Sequence, residues 1–343
     1  MALSSLPSGL IRAICSSVPV RRFDNLSETT AFDPAEVDKV VKMAGVRTRH
    51  IAPGNICSSD LCVAAARRVL EKLQWAPNSI DALIFVTQSP DYLLPSTSCL
   101  AHRDLELSDH CAAFDVGLGC SGYPYALWLA TMMLSGGGLK RVLVLHGETP
   151  SRFADRSDRA VALLFGDAGS ATALEANPAK EASTWGFNLH TDGNGWKDLI
   201  IEGGGFRDRM PEDTRKLCVA MNGANVFNFT IKRVPSLVEE TLRSFATPQE
   251  SIDYFVLHQS NLFIMKHLAK KMQIPEVKLP YTIQRFGSTG GPSIPLTITQ
   301  GGLTRPANRP LKMMLVGYGV GLSWGSALVD LGPEAILDHV EVG

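Results

Sequence analysis

The chain has 343 residues, 45% of them hydrophobic and 20% charged, with 33 basic against 34 acidic side chains and a formal net charge of -1. This is a globular composition, long enough for one large domain or two medium ones. Without a basic excess or a Lys/Arg run, nucleic acid is excluded as the main partner. The longest apolar runs, such as residues 126–134, fall well short of the roughly 20 residues a membrane span needs. The N-terminus lacks the basic and apolar regions of a secretory leader, and seven scattered cysteines outline no disulfide framework. The expectation is a cytoplasmic protein, off the membrane.

In chain order, residues 60–74 carry apolar side chains at helical spacing (Leu61, Val63, Ala64, Val69, Leu70, Leu73), with Ser59 or Asp60 as the expected cap. Ala82–Val86 reads as a buried strand and residues 111–116 as a second. A glycine-rich turn leads into an apolar helix over 122–134, closed by Ser135 and the glycines 136–138. Residues 139–144 form the next strand, and the polar, proline-containing stretch 175–183 divides the chain into halves of 1–178 and 179–343. The second half offers helices over 224–245 and 261–272, expected as counterparts of the first two, and strands at Tyr254–Leu257 and 311–316. Strands alternating with helices of this length argue for layered α/β architecture.

The chain repeats itself. Ser79-Ile80-Asp81 and its strand recur as Ser251-Ile252-Asp253, 172 residues later, and Leu139-Lys140 recurs as Leu311-Lys312 at the same offset. Phe114 and Ser121 fall opposite Phe286 and Ser293. Landmarks in one order at one offset indicate a duplicated fold.

Gly117-Leu118-Gly119-Cys120-Ser121-Gly122 matches the dinucleotide fingerprint, with Glu148 where a ribose-binding acid belongs. Its mid-chain position, the cysteine at the helix start and the duplication all speak against a nucleotide site. Read instead from Cys120, a thiol at a strand-to-helix turn feels the positive potential of free helix N–H groups, which favours thiolate, and its small neighbours admit a carbonyl. The other six cysteines read as small buried hydrophobes. Among eight histidines only His258 directly follows a strong strand, at the edge where open α/β sheets build sites. The loop 286–293, 172 residues after the Cys120 turn, brings Ser288. Cys120, His258 and Ser288 form the expected convergent set. Cys57 and Cys62 are wrongly spaced for a zinc knuckle and lack a second pair.

On these residues, together with Gly45-Val46-Arg47-Thr48-Arg49-His50, Phe165-Gly166-Asp167, His258-Gln259-Ser260-Asn261-Leu262 and Trp324-Gly325-Ser326-Ala327-Leu328, the chain resembles a β-ketoacyl-acyl-carrier-protein synthase III of the thiolase-like superfamily over nearly its whole length. The resemblance implies a five-layered αβαβα fold from two similar halves, a homodimer, and no cofactor beyond an acyl-CoA or acyl-carrier-protein substrate. It implies that Cys120 is S-acylated, that the backbone N–H groups of Cys120 and Val320 hold the oxyanion, and that His258 activates the thiol or positions the second substrate. Leu94 falls where the family's pocket-closing residue crosses the dimer interface, and Arg152 at one position of the coenzyme A clamp.

Several positions depart from the family. Its catalytic asparagine is Ser288 here, and one hydroxyl cannot reproduce an amide's N–H geometry; Asn261 or water would have to fill the gap. Lys39 and Met43 replace the tryptophan and arginine of the adenine clamp. Phe263 replaces the carrier-protein-docking arginine, an apolar residue suited also to contact with another subunit. Val320 replaces a glycine. Three readings follow: an acyltransferase of specialised metabolism that is poor at malonyl decarboxylation, a fatty-acid-initiating synthase, or a non-catalytic partner in a heterodimer with another ketosynthase-like subunit.

Overall fold

The computed structural model describes residues 2–136, 138–178 and 183–343. The expected boundary at 178/179 touches residues 179–182, which lie outside the described residues, as does Gly137 of the expected helix stop.

Fifteen strands are described: β1 (Ala2–Pro7), β2 (Leu10–Pro19), β3 (Arg22–Asp24), β4 (Thr48–His50), β5 (Ala82–Val86), β6 (Ala112–Val116), β7 (Arg141–His146), β8 (Gly169–Glu175), β9 (Thr184–Thr191), β10 (Leu199–Ile200), β11 (Ala220–Met221), β12 (Tyr254–Leu257), β13 (Leu311–Gly319), β14 (Ser323–Leu331) and β15 (Ile336–Val342). Eleven of them make two large sheets. One runs β15-β2-β8-β7-β5-β6 and the other β1-β9-β14-β13-β12. The segment β2-β8-β7-β5 pairs antiparallel, antiparallel, parallel, and β9-β14-β13-β12 repeats that sequence. This is the duplication in three dimensions. Two terminal strands cross over: β1 joins the second half's sheet through β9, and β15 joins the first half's through β2.

Alternate residues of each inner strand are buried on opposite faces, which sets the layers. Leu83, Phe85, Leu143 and Leu145 pack outward on the helix Ser58–Leu73. Ile84, Val142 and Val144 point inward, with Tyr123, Ala126, Leu127 and Ala130 of the helix Gly122–Ser135 and Ile294 and Ile298 of the helix Ser293–Gln300. Val256, Met313 and Leu315 close the central layer from the other sheet. That sheet's outer face, Phe255, Leu257, Met314 and Val316, carries the helices Gly223–Ser244 and Leu262–Lys271. The order is helix, sheet, helix, sheet, helix, the expected αβαβα fold.

The repeated Ser-Ile-Asp landmark has a structural job. Asp81 accepts the backbone N–H of Lys140 at 2.6 Å, and Asp253 accepts that of Lys312 at 2.8 Å. In each half the carboxylate ties the start of one strand to its parallel neighbour.

Two local expectations are corrected. The first long helix begins at Ser58, and its cap is Cys57, whose backbone N–H donates to the Asp60 carboxylate at 2.7 Å. Ser59 and Asp60 lie inside the first turn. The helix 122–135 has its counterpart in Ser293–Gln300 rather than in 261–272. The 172-residue offset of Ser121 and Ser293 points to this pair. No helix among the described residues is long and apolar enough to cross a membrane, and no group of potential metal ligands occurs among them.

Candidate active site

Cys120 ends the turn after β6 and precedes the helix Gly122–Ser135, at the centre of the molecule. Two glycines of β13 let this turn settle on the strand. A Cβ at Gly317 would lie 2.8 Å from the Cys120 carbonyl oxygen, and one at Gly319 would lie 3.1 Å from Sγ. The backbone N–H groups of Cys120 and Val320 both favour the charged form of Sγ. Their relative position is pinned by hydroxyls: Ser121 Oγ and Ser323 Oγ are 2.6 Å apart, and Ser323 Oγ donates to the Val320 carbonyl at 2.8 Å.

The expected thiolate is not what this setting produces. Burial, helped by the Glu148 carboxyl, pushes the Cys120 thiol up to about 12, outweighing the two N–H groups that lower it. At rest Cys120 is a thiol. It needs a base.

His258 follows β12 and is buried, its backbone N–H donating to Val316 at 2.8 Å. Its Nδ1 lies 2.8 Å from Ser293 Oγ, which also accepts the Gln259 N–H at 3.3 Å. The ring packs edge-on to Tyr318 at 5.4 Å, and the Tyr318 hydroxyl donates to the His258 carbonyl at 3.2 Å. Burial pushes His258 down to about 4, against a backbone hydrogen bond at Gly290, so the ring is uncharged near neutrality. Tyr318 immediately precedes Gly319, so β13 supplies the common floor beneath Cys120 and His258.

Ser288 is buried, and its backbone is tied to another element: its N–H donates to Leu164 at 2.9 Å and its carbonyl accepts from Gly166 at 3.2 Å. Gly166 must be glycine, since a Cβ would lie 2.1 Å from the Phe286 carbonyl. Among the described residues the Ser288 hydroxyl forms no hydrogen bond to Cys120 or His258. The side chain of this loop that reaches His258 is Ser293, which sequence reasoning missed in this role.

The remaining expected residues scatter. Arg152 donates to the carbonyls of Pro53, Gly54 and Ile56 and to Cys57 Sγ at 3.3 Å, so it anchors the 53–57 loop instead of clamping a substrate. Arg159, seven residues on, lines an apolar groove of about 620 Å³ with Lys39, Met43, Phe227, Asn261 and Phe263, and pairs there with Glu36. Asn261 caps the helix Leu262–Lys271, accepting from Phe263 N–H at 2.9 Å. Phe263 is 56% exposed and stacks on Phe227 at 6.2 Å. Leu94 is 84% exposed, next to exposed Tyr92 and Leu93. Val320 lines a cavity of about 230 Å³ with Gln88, Phe153, Leu199, Ile200, Ile201 and Val219.

Glu148 is no ribose ligand: its carboxyl accepts the Gln88 N–H at 2.7 Å and the Ser89 hydroxyl at 2.6 Å. Burial raises it to about 7. Of the cysteines read as buried hydrophobes, Cys15, Cys62 and Cys111 are buried, Cys57 and Cys218 are half-exposed, and Cys99 is exposed.

The buried imidazoles make stability depend on pH. His258 is held near 4, and His146 is held near 3 by burial and by His258. Unfolded histidine titrates near 6.5, so the unfolded chain takes up protons first. This contribution is complete above pH ~6.5 and is lost as pH falls toward 4. Glu148, raised to about 7, acts oppositely: its contribution is present below its unfolded value of 4.5 and lost as pH rises through 7. Two histidines against one glutamate leave a net loss on acidification, which accrues between pH ~6.5 and 4. Urea midpoints across pH 4–7 measure this, and a midpoint rising on acidification would contradict the neutral burial of both rings.

Residues 114–193 match the family model of 3-oxoacyl-[acyl-carrier-protein (ACP)] synthase III, and residues 242–331 match that of its C-terminal region. The β-ketoacyl-[acyl-carrier-protein] synthase III of Methylococcus capsulatus is 34% identical over 290 residues, covering 84% of this chain and 89% of that protein. The crystal structure of a 3-oxoacyl-(acyl-carrier protein) synthase from Burkholderia xenovorans LB400 superposes with a TM-score of 0.94 at 40% identity, covering 99% of both chains. The priming β-ketosynthase of the R1128 polyketide biosynthetic pathway superposes with a TM-score of 0.85 at 26% identity, covering 96% of this chain and 98% of that one. With a thiol and an imidazole on one floor at the heart of a duplicated αβαβα fold, this chain belongs to the 3-oxoacyl-(acyl-carrier-protein) synthase III family, whose members are acyltransferases.

Proposed function

We propose that the protein carries an acyl group on Cys120 and passes it to a second substrate in specialised metabolism, with little malonyl decarboxylation. The observation that carries this is that Sγ lies against Gly319 and His258 against Tyr318 of the same strand, with the Cys120 and Val320 N–H groups favouring a charged sulfur, His258 uncharged and the loop without an asparagine amide. With Nδ1–H donated to Ser293, His258 Nε2 keeps a lone pair. The thiol proton passes to Nε2 as Sγ bonds to the acyl carbon. The donor's C–S bond breaks, and its thiolate takes the proton back. The two N–H groups hold the oxyanion, each worth ~2.7–4 kcal/mol. In the second half-reaction the acceptor's proton passes to Nε2 as the acceptor bonds to the acyl carbon; the Sγ–acyl bond breaks, and the Cys120 thiolate takes the proton from Nε2.

The cavity beside Val320 is walled by Phe153, Leu199, Ile200, Ile201 and Val219, which suits an apolar acyl chain, and the groove at Asn261 and Phe263 suits the donor's pantetheine arm. The resemblance sets Ser288 at the position of the family's asparagine amide, and a hydroxyl there supports the reading of weak decarboxylation. The exposed Tyr92-Leu93-Leu94 segment suits a homodimer interface with Leu94 at the partner's pocket.

Intact-protein mass after incubation with acyl-CoAs and acyl-carrier proteins tests the reading. One acyl increment in the wild type, absent in Cys120→Ala, is expected and names the donor. No increment with any donor would sink it and favour a non-catalytic subunit, which a mass measurement with ketosynthase partners would reveal. Fast carbon dioxide release from malonyl carrier protein would favour a fatty-acid-initiating synthase.

A further inference from the structure

One buried imidazole takes no part in that scheme. His146 ends β7 with no exposed surface, and neither ring nitrogen has a hydrogen-bond partner. An imidazole always carries at least one N–H, and leaving a buried donor unpaired costs ~1–3 kcal/mol. A group kept at that cost calls for a physical reason.

The ring is clasped between two glycine-built segments. A Cβ at Gly291 would lie 1.7 Å from Nε2 and 1.9 Å from Cε1, and 2.7 Å from the Gly119 carbonyl oxygen. A Cβ at Gly122 would lie 3.0 Å from Cε1 and 3.3 Å from Nε2. Gly291 has no left-handed φ, so room alone demands glycine there. One segment, 119–122, carries Cys120. The other, 290–293, ends in Ser293, the partner of His258 Nδ1.

We infer that His146 is a positioning residue: its uncharged ring sets the spacing between the turn that carries Cys120 and the segment that carries Ser293, and it walls water away from the His258 ring. The groups around it fit an uncharged spacer. His258 is the one ionisable group whose charge acts on it. Glu148, two residues on, is turned to Gln88 and Ser89. Cys62, against Gly147, is held in its thiol form by burial, as is Cys120. The 288–293 segment brings only hydroxyls. A smaller residue would open space for water beside His258 and let the 290–293 segment sag.

This rests on the roles proposed for Cys120 and His258, so the test includes a readout that needs no substrate. In His146→Ala, the His258 ring, followed by nitrogen-15 NMR, should titrate about one pH unit or more above its wild-type midpoint as water relieves its burial. Cys120 acylation should slow by ~10–100-fold, with the donor's half-saturating concentration within about twofold. Gly291→Ala forces the same two segments apart and should slow acylation comparably. A merely structural His146 would lower the melting temperature and leave the His258 titration where it was. An unmoved titration in folded His146→Ala, or Gly291→Ala acylating at the wild-type rate, would overturn the inference. If the wild type takes up no acyl group, the proposed function fails, while the titration still decides the role of His146, and Cys120 alkylation by iodoacetamide replaces acylation in the Gly291 comparison.

Discussion

Alanine at His258 should slow acylation of Cys120 by ~10²–10⁴-fold, the usual worth of a positioned general base. The thiol is pushed up to about 12, so at pH 7 only on the order of one molecule in 10⁵ presents a thiolate unaided. His258 lies uncharged at the same floor, its ring oriented by Ser293 at 2.8 Å. Ser293→Ala leaves the base in place and removes that orientation together with the weaker Gln259 contact, so its loss should be smaller, about tenfold. The time course of the acyl increment by intact mass measures both. His258→Ala acylating at the wild-type rate would mean that another group takes the thiol proton. The pH profile would then tell which, since Glu148 titrates near 7 and His258 near 4.

Asparagine at Ser288 should raise carbon dioxide release from malonyl carrier protein by ~10²–10³-fold, the worth of one well-placed donor to a developing oxyanion. Losing carbon dioxide leaves an enolate whose oxygen needs N–H donors, and serine offers a single hydroxyl on a shorter stem. The backbone at this position is already held from both sides, by Leu164 and Gly166, so the longer side chain is added to a fixed platform. Acylation of Cys120, which does not use this group, should stay within a few-fold of wild type. If release remains at the Ser288 level in a folded variant, Ser288 is not the residue that limits decarboxylation.

Much of the architecture was legible because it is periodic. Buried strands such as Ala82–Val86 and Tyr254–Leu257 are short aliphatic runs whose both faces are covered, and their bounds fall where the hydrophobicity stops. The 172-residue offset held because each half repeats the same carboxylate-to-backbone tie, Asp81 to Lys140 and Asp253 to Lys312. The site was legible only where chemistry and local context coincide, at Cys120 and His258. Arg152 and Arg159 are seven residues apart in an arginine-rich segment, and only the folded chain shows which meets loop carbonyls and which meets the groove. Thiolate was expected from the helix start alone, whereas the charge state depends on how deeply residues distant in sequence bury the sulfur. His146 and Ser293 gave no signal as isolated letters. The offset could have raised both, since it sets His146 opposite Tyr318 and Ser121 opposite Ser293.

The crossing of β1 into the far sheet has a consequence for synthesis of the chain. Ala2 pairs with Leu189 and Leu6 with Trp185, so this strand leaves the ribosome and waits for partners translated some 180 residues later. At ~5–20 residues per second that delay is about 10–40 s. Throughout it β1 is an unpaired edge, the kind of segment that invites stray pairing. Its sequence is mild for such a segment: Ser4 and Ser5 interrupt Ala2, Leu3 and Leu6, and Pro7 ends it. A more aliphatic version would join the finished sheet as well, yet would spend the same interval exposed to every other nascent strand in the cell.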